Sequence, residues 1–156
     1  MFLPTIEDSF WAEVEIENER KVRVRFFDTQ GVTNENISLP KFLYSIADAY
    51  LLVYDVTTPS SYELMKKLRN DIDSKKEKRD APLVTLGTKC DIQNARKVQF
   101  HEAQKWASEE KVRLFEVSAV EKSSLIDPIC TVVSKATQLP VKSSTFSLPA
   151  SLKKPR

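Results

Sequence analysis

Glycine is almost missing from this 156-residue chain. Gly31 and Gly87 are the only two, where ordinary usage of roughly 7% gives about eleven. No glycine-rich stretch of the kind that cradles a phosphate can be written anywhere in it. Cysteine is scarce as well: Cys90 and Cys130 stand alone and far apart, with no signal peptide ahead of them. That excludes a disulfide framework and points to reduced thiols in a cytosolic or nuclear compartment. His101 is the sole histidine and has no Cys/His partner in sequence, which argues for a surface role and against metal ligation. No run of about eighteen apolar residues occurs, so no membrane span is expected. The net charge of +2 gives no reason to expect nucleic acid as a partner.

What remains is an ordinary folding chain. Hydrophobic residues make up 41% and charged residues 29%, the balance of one soluble domain large enough for a core of its own. Residues 10 to 17, FWAEVEIE, alternate strictly, with Ala12, Val14 and Ile16 on one face. KVRVRFFD answers with Val22, Val24 and Phe26, and the two read as a hairpin turning at Asn18-Glu19-Arg20. A three-residue loop there sets Glu17 against Lys21, Glu15 against Arg23 and Glu13 against Arg25.

The pattern then changes. AYLLVYDV (49 to 56) and APLVTLG (81 to 87) are continuous apolar runs, as expected of strands covered on both faces in a parallel sheet. Between them Tyr62, Leu64, Met65, Leu68 and Ile72 recur at helical spacing, with Ser60 or Ser61 available as a cap. FHEAQKWASEE predicts another helix, VRLFEVSA another strand, and SLIDPICTVVSKATQL a last helix with Pro128 in its first turn. Strands alternating with helices after one hairpin predict an α/β fold with a mixed sheet. From Pro140 the chain is Ser/Pro/Lys-rich without an acidic residue, which predicts a domain over 1–139 and a mobile tail over 140–156.

Ligands collect at the carboxyl ends of such strands, and the loops there carry chemistry. Asp28-Thr29-Gln30-Gly31 offers a carboxylate and, three residues on, a glycine N–H, which suits a Mg²⁺-phosphate group and equally suits an Asx turn. Thr88-Lys89-Cys90-Asp91 offers a carboxylate to the paired donors of guanine and a lysine stem to lie across the base, a combination that adenine cannot satisfy. Ser118-Ala119-Val120 is a small-residue turn whose N–H can reach the guanine oxygen.

In that order and spacing, PTIEDSF, DTQG, TKCD and SAV resemble the effector loop, DxxG, NKxD and SAK motifs of the Ras superfamily of small GTPases, over roughly residues 4 to 137. SLPKFLYSIADAYLLVYDV, EEKVRLFEVSAVEKSSLIDPI and KSSTFSLPASLKK further resemble the kappaB-Ras family, the NF-kappa-B inhibitor-interacting Ras-like proteins. The resemblance implies a Ras-like P-loop NTPase type three-layer sandwich and GTP/GDP with Mg²⁺ as cofactors. Thr5 and Asp28 would be the metal residues and Gly31 a donor to the γ-phosphate. Thr88, Lys89, Asp91, Ser118 and Ala119 would hold guanine. It also implies a cytoplasmic, monomeric protein, with an NF-kappa-B inhibitor protein or a GTPase regulator as partner.

Against the family pattern, GxxxxGK[ST] is absent, so weak or no nucleotide binding is expected, and the fold is expected to be N-terminally truncated by a strand, the phosphate loop and a helix. Loss of that strand is expected to expose two inner sheet edges and an apolar patch; the alternative is that the flanking strands close up. The water-positioning Gln that follows the DxxG glycine is Val32 here, so no catalytic residue is assigned and hydrolysis is expected to be impaired. The chain ends KKPR without a CaaX box, which argues against prenylation. Trp11 and Trp106 are read as packing residues. Two functions stay open: a guanine-nucleotide switch with poor hydrolysis, and a binding module that keeps the Ras effector surface without the nucleotide.

Overall fold

The computed structural model describes residues 7–138; the readings made for Thr5 and for the tail at 140–156 lie outside the described residues. Five strands and four α-helices follow in the order β1 (Glu7–Ile16), β2 (Arg20–Thr29), α1 (Lys41–Ile46), β3 (Tyr50–Asp55), α2 (Pro59–Lys75), β4 (Leu83–Thr88), α3 (Phe100–Glu109), β5 (Arg113–Glu116) and α4 (Ile126–Gln138). β1 and β2 pair antiparallel, and β3, β4 and β5 form a parallel sheet in the order β3-β4-β5. The hairpin and the parallel strands are both as expected, but they stand as two sheets. Among the described residues no hydrogen bond joins β2 to β3. The two flanking strands have therefore not closed up.

The hairpin register differs from the sequence reading by two residues: Glu15 faces Lys21, Glu13 faces Arg23 and Trp11 faces Arg25. The loop is Glu17–Glu19, one residue earlier, because Glu19 takes the left-handed conformation (φ 57°) that closes a three-residue hairpin loop. A shift of two keeps every side chain on its predicted face. Val14, Val22, Val24 and Phe26 thus still share one apolar face, which packs with Val132 and Val133 of α4.

Alternation along β3 and β4 divides the core into two layers. Tyr50, Leu52, Tyr54 and Val56 meet Tyr44 of α1, Tyr62, Met65 and Ile72 of α2, and Ala103 of α3. Val84 and Leu86 meet Val117 and the valines of α4 on the other side. Helices on both faces give the three layers. Gly87 is required by this packing, since a Cβ there would lie 2.7 Å from the Tyr54 hydroxyl and 3.2 Å from Val56. The helix over α2 starts at Pro59 with Thr58 before it and no side-chain cap. Ser61, predicted as a possible cap, instead accepts from the Asp55 N–H at 2.9 Å and donates to the Thr58 carbonyl at 2.7 Å. α1 had no counterpart in the sequence reading, because six residues are too few for helical periodicity to show.

Candidate guanine site

β4 ends at Thr88, whose hydroxyl donates to the Tyr54 carbonyl across the sheet at 2.9 Å. The chain then turns sharply: Lys89 sits at φ 63°, a left-handed conformation that costs a non-glycine residue about 1 kcal/mol or more. The turn throws the Lys89 ammonium back over the end of β3, where its Nζ donates to Asp55 Oδ2 at 2.5 Å. Asp55 Oδ1 also accepts from the Thr57 N–H at 2.8 Å and the Thr57 hydroxyl at 2.7 Å. Burial alone would raise the Asp55 carboxyl, but the bonds from Lys89 and Thr57 outweigh it and hold the pKa at about 2. Asp55 is thus ionised and fixed, and it fixes Lys89.

A second tie brings in the loop after β5. The Cys90 N–H donates to the Val117 carbonyl at 3.4 Å, so the TKCD and SAV turns lie side by side. Ser118 is buried; its N–H donates to the Ser124 hydroxyl at 3.0 Å and its own hydroxyl accepts from the Val120 N–H at 3.3 Å. Arg96 closes the back of the corner with paired bonds of 2.7 Å to both Glu116 oxygens and one of 3.2 Å to the Val98 carbonyl. Both side chains of that pair are nearly buried, the arrangement in which an Arg–carboxylate fork is strong.

Within this frame two groups point to solvent unengaged. The Asp91 carboxylate is exposed and takes no hydrogen bond or ion pair among the described residues, and neither does the Ala119 N–H. A free carboxylate and a free N–H beside a pinned lysine stem match the donors and acceptor on one edge of guanine. Thr88, Lys89 and Asp91 of one turn and Ser118 and Ala119 of the other are therefore brought together at one corner. Asp55, Arg96 and Glu116 were missed in sequence, although Asp55 sits at the carboxyl end of a strand as Asp28 does, and that position was the available signal.

The phosphate side does not assemble in the same way. Asp28 is exposed and stands opposite Asp8 in the hairpin, a like-charge pairing with no cationic partner among the described residues. Gly31 is exposed, and a Cβ placed on it would meet nothing within 4 Å. Neither glycine has a positive φ, so no nest of backbone N–H groups forms there. Gln30, Gly31 and Val32 line a cleft with Lys41 and Lys75, and no backbone hydrogen bond joins them to the base corner among the described residues. No group of three or more His, Cys, Asp or Glu side chains could hold a metal ion among those residues either. Among the described residues, the base corner offers a free carboxylate and a free N–H, whereas no preorganised group for a Mg²⁺-triphosphate is present.

Trp106 packs edge-on to Tyr62 as read from the sequence. Trp11 does not pack inside: it is 56% exposed, with the Arg23 and Arg25 guanidinium groups 4.7 and 5.8 Å from its ring. Strict alternation put Trp11 on the polar face, and its size concealed that.

Comparison with known proteins agrees with this geometry. The Ras family model matches residues 1–138. NF-kappa-B inhibitor-interacting Ras-like protein 2 of Mus musculus is 38% identical over 146 residues, covering 94% of this chain and 75% of the relative. Protein 1 of the same name from Homo sapiens is 39% identical over 145 residues, covering 93% and 74%, and that of Danio rerio is 37% identical over 145 residues, with the same 93% and 74%. The motifs, the base corner and these matches lead to one conclusion: the chain belongs to the Ras family.

Proposed function

We propose that this chain is a Ras-type docking module that engages an NF-kappa-B inhibitor protein in the cytoplasm, and that it recognises guanine weakly without turning over the nucleotide. The observation that carries the reading is the split site. The base corner is held by its own contacts, Lys89 to Asp55 and Cys90 to Val117, whereas Asp28 and Gly31 are exposed and Asp28 stands opposite Asp8 without a cationic partner among the described residues. Val32 occupies the position of the water-orienting Gln and has no group to orient water. The names of the relatives supply the partner class.

The exposed Trp11 with its two arginines gives the docking half a physical basis, because Trp and Arg are the residues that most often dominate protein interfaces. Calorimetric titration of the chain, without nucleotide, into a recombinant NF-kappa-B inhibitor protein tests it. Binding is expected, with at least about a tenfold loss for Trp11→Ala. No binding without GTP, and binding once GTP is added, favours the other reading, a guanine-nucleotide switch with impaired hydrolysis, which the intact base corner supports.

A further inference from the structure

Between Gln30 and Pro40 the chain has no helix or strand, and a surface stretch of that length is mobile unless other parts of the protein tie it down. In switching GTPases the loops around the nucleotide are ordered by contacts to the γ-phosphate and Mg²⁺ and are released on hydrolysis. Here the ties come from α2. Lys67 Nζ donates to the Asn34 side-chain oxygen at 3.1 Å. One turn on, Asp71 accepts from the Ser38 hydroxyl at 3.4 Å and from the Tyr44 hydroxyl. One turn further, Lys75 Nζ donates to the Ser38 hydroxyl at 2.7 Å and pairs with Asp71 at 2.6 Å. Lys67, Asp71 and Lys75 follow one another at the spacing of i and i+4, so they form one stripe along the helix. Just past the helix the Glu77 N–H donates to the Tyr44 carbonyl at 2.9 Å, and Lys78 Nζ donates to the Ile46 carbonyl at 2.8 Å.

Tyr44 is the hub of these contacts. Its ring is buried in the core with Tyr50, Leu52 and Ile72, which fixes where the hydroxyl stands. That one oxygen donates to Asp71 and accepts from the Leu39 N–H at 2.8 Å, so a single atom joins the loop, α1 and α2. Burial alone would raise the Asp71 carboxyl, but the bonds from Lys75 and Tyr44 outweigh it and hold it below the ordinary carboxylate value. The acceptor is thus ionised, and bonds to an ionised acceptor are the stronger kind. The loop also closes on itself, with Thr33 and Asn36 exchanging backbone bonds of 3.0 and 3.2 Å.

We propose that Tyr44, Asp71 and Lys75 form a latch that holds residues 30–46 in one conformation without nucleotide. The segment that follows the DxxG glycine is then displayed constitutively, where in a switching GTPase such a loop answers to the γ-phosphate. None of the three latch residues belongs to the base corner or to the Trp11 surface. The latch therefore stands whether or not guanine binds or a partner docks.

Amide exchange on the full chain, without nucleotide, tests it. The Leu39 amide, whose acceptor is the Tyr44 hydroxyl, is expected to exchange at least about 100-fold more slowly than an unstructured chain. Tyr44→Phe removes the hub and keeps the ring, and Asp71→Ala removes the charge. Each is expected to speed Leu39 exchange by about tenfold or more, while the amide of Leu86 in the central strand β4 changes by less than about threefold. Tyr44→Phe, the milder change, decides alone if Asp71→Ala unfolds the chain. Adding GTP with Mg²⁺ to the wild-type chain is expected to leave Leu39 exchange unchanged. Unstructured exchange rates at Leu39 in the wild type overturn the proposal, as does an unaltered Leu39 in Tyr44→Phe. Equal acceleration of Leu39 and Leu86, which is global loosening, also overturns it, and so does Leu39 protection that arises only with GTP and Mg²⁺.

Discussion

Replacing Asp55 with asparagine keeps the shape of the side chain and removes the charge that holds Lys89. The carboxyl has an ordinary value of 3.8 and is held at about 2 in the folded chain. At about 1.4 kcal/mol per pH unit, that gap is worth at most about 2.5 kcal/mol. Asp55 is 17% exposed but Lys89 is 54% exposed, so screening lowers the expected loss for Asp55→Asn to about 1–2 kcal/mol. For a chain of this size that is a fall in Tm of roughly 2–8 °C. Because the folded pKa is depressed, the stabilisation is complete above 3.8 and is lost as pH falls through about 2. The difference between wild type and Asp55→Asn should therefore be full at neutral pH and about half as large near pH 3. Urea unfolding of both proteins across that range measures it. An unchanged midpoint at neutral pH, or a difference that persists undiminished at pH 3, refutes the coupling of Asp55 to Lys89.

Two further substitutions probe the frame of the site. Gly87→Ala drives a methyl into the Tyr54 ring, which is only 2% exposed and cannot retreat, so a loss of about 1–3 kcal/mol is expected in urea unfolding. Tyr54→Phe should be near neutral, since its buried hydroxyl has no hydrogen-bond partner, and it should recover part of the Gly87→Ala loss in the double variant. Glu116→Gln leaves the nearly buried Arg96 without its counter-charge; about 3–5 kcal/mol of destabilisation is expected, whereas Glu13→Gln at an exposed pair should change stability by less than about 0.5 kcal/mol.

The sequence carried the parts of this fold that depend on local pattern. Strict alternation located both hairpin strands and their faces, and continuous apolar runs located β3 and β4. The hairpin register escaped by two residues, because it turns on which residue accepts a left-handed backbone, and Glu19 is not a residue that announces one. The candidate base corner was read from two short contiguous motifs, Thr88, Lys89 and Asp91 in one and Ser118 and Ala119 in the other, and the Cys90–Val117 bond sets those turns side by side. Asp55, Arg96 and Glu116 act across 34 and 20 residues of chain, and no local pattern reports such partners. That Asp28 stands opposite Asp8 was likewise a matter of pairing between two strands, which neither strand encodes alone.

The central claim is that this chain recognises the base and not the phosphates. Titration with guanosine, GDP and GTP, with and without Mg²⁺, separates the two contributions directly. Weak binding of all three is expected, with Kd above about 10 μM, within about tenfold of one another, insensitive to Mg²⁺ and weakened by Asp91→Ala. GTP binding a thousandfold tighter than guanosine and dependent on Mg²⁺ would contradict it.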